Sequence, residues 1–202
     1  MKITILVEGK TETAFKPYLC AFLHARLGDK PKPRLDFFPC DGRIYKEGKL
    51  RRTVEELLRN GKTPSDAVIA LTDVYTGTKD FTDASDAKRK MRECVGKESR
   101  FYPHAAQHDF EAWLLPFWSD IQTLAGHNKR APAGAPEAVN HEHPPSHHIQ
   151  ELFESGKKRS YSKARDAGRI LQGKDLAFAA SKCPELKALL NTILKLSGAE
   201  LL

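Results

Sequence analysis

Apolar and polar positions fall into short blocks along this chain, and their periods predict alternating strands and helices. Residues 2–7, from Lys2 to Val7, form a brief apolar, β-branched run that predicts a buried strand. Apolar positions then recur at helical spacing through Ala14, Phe15, Tyr18, Leu19, Phe22 and Leu23, predicting a helix over about 12–27 with Thr11 as N-cap and Gly28 as its stop. Pro31 and Pro33 stiffen the connection to a second strand, Arg34 to Cys40, and Asp41-Gly42 reads as a turn. Leu50, Val54, Leu57 and Leu58 predict a helix over about 49–60, ended by Asn60-Gly61. A third strand spans 67–72, followed by a long loop through Tyr75 and Phe81, a helix over about 83–95, and a fourth strand at 100–106. A further helix is expected from about Asp109. The order βαβαβαβ predicts an α/β fold with a mainly parallel four-stranded sheet and helices on both faces.

Beyond Trp118 the pattern changes. Residues 127–148 are rich in Pro, Gly, Ala and His and read as a mobile loop, and about 149–202 read as short helices ending in an amphipathic stretch from Pro184 to Leu196. This predicts an α/β core over 1–118 and, over 119–202, a His/Pro-rich loop with a helical extension packed on the core.

Three predicted strands end in acids. The first runs into Glu8, the third into Asp73, and the fourth into Gln107-His108-Asp109-Phe110-Glu111. Open α/β sheets keep their sites at the carboxyl ends of strands. Carboxylates gathered there repel one another unless a cation offsets them, and Mg²⁺ or Mn²⁺ suits oxygen ligands and can polarise a phosphate. Taken singly, Glu8 and Asp73 could each cap a turn, and Glu111 could be a favourable charge at a helix N-terminus. Gly9, lacking a Cβ, permits a tight turn and a close backbone approach to a phosphate, with Lys10 and Thr11 at the following helix start. The P-loop pattern is absent.

Composition narrows the partners. The chain has 202 residues, 33 Lys plus Arg against 26 Asp plus Glu, and a net charge of +7, a surplus that attracts polyanions such as nucleic acid. No apolar run approaches the roughly 20 residues that span a bilayer, and no signal-peptide pattern opens the chain, so a cytoplasmic protein is expected. Cys20, Cys40, Cys94 and Cys183 are scattered and read as reduced.

The run Val7-Glu8-Gly9-Lys10-Thr11-Glu12 resembles the first motif of Toprim domains, found in topoisomerases, primases and the nuclease part of OLD-family proteins. With Thr72-Asp73-Val74-Tyr75, the stretch Gln107 to Leu115, and Tyr161-Ser162-Lys163-Ala164-Arg165-Asp166 followed by Lys182-Cys183-Pro184, the pattern is closer still to an uncharacterised bacterial Toprim-like family known only as a domain of unknown function. The resemblance implies a Toprim-like core, a divalent metal, phosphodiester chemistry and an ATPase partner, encoded nearby, in phage defence. Asp73 matches the first acid of the family's Asp-x-Asp motif, but Tyr75 stands at the second. Another acid must then serve: Glu111 or Asp109 first, Asp80 or Asp83 less readily.

The expected function is a divalent-metal-dependent nuclease subunit. Glu8, Asp73 and Glu111, with Asp109, bind Mg²⁺ or Mn²⁺; Lys10 or Lys163 offsets charge on the phosphate; His108 is a candidate base or phosphate contact. The alternative is a catalytically silent adaptor or sensor that binds an ATPase or nucleic acid. A phosphatase is disfavoured because no nucleophilic Asp motif follows the first strand. Lys163, Arg165 and Arg169, with Lys157, Lys158 and Arg159, either track a nucleic-acid backbone or form a solvated face. His141, His143, His147 and His148 lack the Cys pairs of a structural zinc site, and Trp113 and Trp118 read as core or interface. DNA against RNA, the number of metals and a homo-oligomeric state stay open.

Overall fold

The computed structural model describes residues 1–40, 42–44, 48–60, 63–74, 79–140, 143–156 and 159–202. Strands β1 (Lys2–Val7), β2 (Arg34–Pro39), β3 (Ala67–Asp73) and β4 (Phe101–Ala106) form one parallel sheet in the order β2-β1-β3-β4. β1 lies inside the sheet with helical crossovers leading away on either side, so the chain reverses its winding between β1 and β3. This is the position where open sheets form a crevice at their carboxyl ends. Pro103 falls on β4, an edge strand, where a missing ladder donor is tolerated.

The strands are apolar on both sides because both faces are covered. Ile3, Ile5 and Val7 pack with α1 (Lys10–Leu27) and the C-terminal helices; Leu6, Val68 and Ala70 pack with α2 (Lys49–Arg59) and α3 (Ala84–Val95). The four-stranded α/β architecture read from the periodicity is the one observed.

Local departures have local causes. α1 starts at Lys10 rather than 12. Its N-cap is Gly9, not Thr11, and the Gly9 N–H donates to the Glu12 carboxylate at 3.2 Å. Asp83 is the N-cap of α3, accepting from the Asp86 amide at 2.8 Å. The expected helix from Asp109 is instead a pair of 3-10 turns, Phe110–Trp113 and Leu115–Phe117, followed by α4 (Trp118–Ala125). The tighter turn sets Phe110 and Trp113 edge-on, 5.4 Å between ring centroids, and both pack on Phe15 of α1.

The segment expected to be loop up to 148 becomes α5 (Pro145–Gly156) at Pro145. Before it, Glu137 is buried and accepts from the Trp113 indole at 2.9 Å and from the Glu185 and Leu186 amides. Those amides begin α8 (Pro184–Leu196), so Glu137 caps a helix remote in sequence. α6 (Lys163–Leu171) and α7 (Leu176–Ala180) complete the extension, and Tyr18 of α1 donates to the Gly168 carbonyl at 2.6 Å. No helix among the described residues is long and apolar enough to cross a membrane.

Gly156 closes α5 against the end of α4. A Cβ there would fall 1.9 Å from the Ala125 carbonyl oxygen, which is backbone and cannot swing aside. Gly156→Ala is therefore expected to cost about 2–3 kcal/mol by overpacking. Urea unfolding checks this, and an unchanged midpoint would contradict the packing.

Candidate functional site

Register brings the first two acids together. Val7 pairs with Leu71, so Glu8 comes level with Thr72, whose hydroxyl donates to the Glu8 carboxylate. Burial lifts the Glu8 pKa from 4.5 to about 7, with the Glu12 charge adding to the shift, while the Thr72 hydroxyl, the Ile44 backbone and Arg43 oppose it. Asp73, the last residue of β3, pairs with Ala106, after which β4 leads into Asp109 and Glu111. Burial drives its carboxyl well above the usual aspartate range, and Glu12, Asp109, Glu111 and Glu8 all push the same way. Part of Asp73 still reaches solvent, so the cluster has an open side.

Asp109 precedes the first 3-10 turn and is buried. Its Oδ2 accepts from the Ser146 amide at 3.0 Å, while its buried Oδ1 has no hydrogen-bond partner. Burial raises its pKa against the Ser146 hydrogen bond. Glu111 is only 1% exposed; it accepts from the Tyr161 hydroxyl at 3.3 Å and lies 3.4 Å from the Lys163 ammonium. Burial, then Asp109, lifts Glu111 to about 7 despite that lysine. Burial alone would lower the Lys163 pKa, but Glu111, Asp109 and Asp73 outweigh it and raise it.

Five acids, Glu8, Glu12, Asp73, Asp109 and Glu111, thus share one electrostatic neighbourhood with Lys163 as its lysine. The donors are all oxygens, and one buried oxygen is unpartnered, a chemistry that suits a hard divalent cation. The shell is not preassembled: among the described residues, no three His, Cys, Asp or Glu side chains stand at metal-ligand spacing.

The family model for a domain of unknown function, DUF4276, matches residues 7–194. The chain belongs to the DUF4276 family. No curated protein matches it. Among solved structures it is similar to the C-terminal region of the Burkholderia pseudomallei OLD protein, with TM-score 0.52 and 13% identity over 97% of this chain and 98% of that one. It is also similar to the C-terminal region of the Xanthomonas campestris pv. campestris OLD protein, with TM-score 0.44 and 14% identity over 93% and 95% of the two chains. The fold of this DUF4276 chain is Toprim-like, as the motif resemblance implied.

The remaining candidates distribute around this DUF4276 site. His108 lies ahead of the turn rather than in a helical first turn; it holds a positive φ of 70°, and burial lowers its pKa against the pull of Asp109. A non-glycine residue in that region is strained, a feature that gathers at functional sites. Gly9 is extended, with φ −152°, so the turn itself does not require glycine. Among the described residues, a Cβ there would meet the Glu12 carboxylate at 3.6 Å, an ordinary contact. The side chains of Lys10 and Thr11, and residues Tyr75, His141, Lys157 and Lys158, lie outside the described residues.

Asp80 pairs with Arg43 at 3.0 Å, and Asp83 caps α3, so both are engaged elsewhere. The expected basic stretch is partly consumed internally: Arg159 and Arg165 both bind buried Asp166, while Arg169 is exposed. His143 and His147 stack at 3.9 Å, and His147 and His148 lie 6.2 Å apart. Trp113 is core, and Trp118 donates to the Lys129 carbonyl at 2.8 Å. Among the described residues no disulfide joins Cys20, Cys40, Cys94 or Cys183, and Cys183 is buried. Glu12 carries no role in the sequence pattern beyond ending the first motif, because it lies past the strand end that marks the other acids. Its spacing three residues after Gly9, the capping-box offset, was the available signal.

Proposed function

We propose that this protein is a divalent-metal-dependent nuclease subunit that hydrolyses phosphodiesters in the bacterial cytoplasm, in a phage-defence system working with an ATPase. The observation that carries the reading is the gathering of buried Glu12, Asp109 and Glu111 with partly buried Glu8 and Asp73 in one electrostatic neighbourhood beside Lys163. Such a cluster opposes folding unless function requires it.

In this reading the core, 1–118, supplies the acids, and the extension, 119–202, supplies Tyr161, Lys163 and the Ser146 amide. Glu8, Asp73 and Glu111, with Asp109, hold Mg²⁺ or Mn²⁺, and the chemistry such an ion supplies is polarisation of a phosphodiester. Lys163 offsets charge on the phosphate, and Tyr161 orients Glu111. In this reading Gly9, Lys10 and Thr11 form the phosphate-facing start of α1. His108, whose pKa burial lowers against the pull of Asp109, is the nearby proton carrier. The net charge of +7 favours nucleic acid as substrate.

A second reading, a silent adaptor or sensor docking on an ATPase or nucleic acid, draws on the Lys163–Glu111 pair, which already neutralises one would-be ligand. Incubation with plasmid DNA and RNA in Mn²⁺ separates the two. Cleavage is expected, with Glu8→Gln and Asp73→Asn each lowering it by about a hundredfold or more. Cleavage that persists in both variants rejects the site, and no cleavage of either nucleic acid favours the adaptor.

A further inference from the structure

We propose that Asp166 is a positioning residue for the acidic site: from beneath the start of α6 it fixes the shape of segment 159–166, and so aims Tyr161 and Lys163 at Glu111. The inference rests on the nuclease reading only where activity is measured.

Asp166 is 0% exposed. Arg159 Nη1 donates to both of its carboxylate oxygens at 2.7 Å, and the Ser162 amide donates to Oδ2 at 2.8 Å. Arg165 adds contacts at 3.1 and 3.3 Å. Ser162 is the N-cap of α6, and its carbonyl accepts the Asp166 amide at 2.8 Å, so side chain and backbone of Asp166 clasp the same residue. Tyr161 precedes that residue and Lys163 follows it, and these are the two side chains that reach Glu111. The Arg159 guanidinium also lies 5.0 Å from the Phe153 ring centroid, and Phe153 packs on Tyr161 at 5.4 Å. The ion pair therefore grips the segment from both ends.

Burying a carboxylate with guanidinium partners costs desolvation that apolar residues of equal volume avoid. What the charges supply here is direction, because one carboxylate fixes the Ser162 amide and Arg159 Nη1 at once. Removing only Asp166 would strand a partly buried Arg159, so the informative variant is Asp166→Asn with Arg159→Gln. Its amide can still accept from Ser162, but the Arg159 guanidinium is gone. Should that variant fail to fold, Asp166→Asn alone carries the same test, since a single neutral amide oxygen must then serve the Ser162 amide and the Arg159 guanidinium together.

Two readouts on the full-length chain decide the matter. The first is acylation of Lys163 by an N-hydroxysuccinimide ester at fixed pH, followed by mass spectrometry. Freed from Glu111, Lys163 is expected to react several times faster, while lysines distant from the site keep their rates. The second is plasmid cleavage in Mn²⁺: turnover is expected to fall by about a hundredfold, and adding Lys163→Ala is expected to cost nothing further. Unchanged acylation, unchanged turnover, or losses that multiply with Lys163→Ala each overturn the proposal. If the unaltered chain cleaves nothing, the nuclease reading fails, and acylation alone decides whether Asp166 positions the lysine.

Discussion

In metal-free buffer, Glu111→Gln is expected to stabilise the folded chain by about 3 kcal/mol near pH 8 and to leave it unchanged near pH 4. Glu111 is 1% exposed, and burial lifts its pKa from 4.5 to about 7. Its folded-state pKa lies above its unfolded one, so folding favours the protonated form. Below pH 4.5 the carboxyl is neutral in both states and costs nothing. Between 4.5 and about 7 the unfolded chain sheds the proton while the folded chain keeps it, so stability falls as pH rises; above 7 the full penalty stands. Lys163 at 3.4 Å recovers only part of the desolvation, as is common for buried ion pairs. Glutamine keeps the shape without the charge.

Guanidinium unfolding of both proteins at the two pH values, with a chelator present, measures the difference. His104, which burial holds down to about 4, drives the opposite trend, since its stability contribution is lost as pH falls from its ordinary 6.5 towards 4. It is common to both proteins and cancels. A glutamine variant less stable than the parent near pH 8 would show that Lys163 fully compensates the charge, and the case for an added cation would go with it. Under the proposed function, Mn²⁺ stabilises the parent chain more than the variant.

Glu137→Ala is expected to lower stability by about 3 kcal/mol and the melting temperature by about 10 °C. Its carboxylate is the shared acceptor for the buried Trp113 indole and for the Glu185 and Leu186 amides. Alanine leaves those donors without a partner where water has little access, and each buried unsatisfied donor costs about 1–3 kcal/mol. The loss also uncaps α8, whose Leu186, Leu189, Leu190, Ile193 and Leu194 are buried in the same core as α1. Differential scanning calorimetry provides the measurement. A shift of a degree or two would mean that residues 136–139 are not the clamp their hydrogen bonds describe.

The acidic cluster and this clamp illustrate how much was legible along the chain. Period-2 and continuous apolar runs located all four strands, and helical spacing located α1, α2, α3 and α8, because sheet and helix faces are buried along their own length. Glu8, Asp73, Asp109 and Glu111 stood out because each follows an apolar run, so strand-end acids can be seen without knowing which strands are neighbours.

What the sequence could not decide were relations between distant segments. The order β2-β1-β3-β4 sets Glu8 level with Thr72, and only the folded chain reveals that pairing. Glu12 stood only as the last residue of the first motif until folding buried it beside Asp73. Arg159 and Arg165 read as surface charge until Asp166 was found buried between them, and Glu137 read as loop until it met the start of α8. Periodicity therefore determined the elements and the candidate acids. Tertiary packing alone decided which charges share a low-dielectric space, because burial and Coulomb coupling depend on distances that no local pattern encodes.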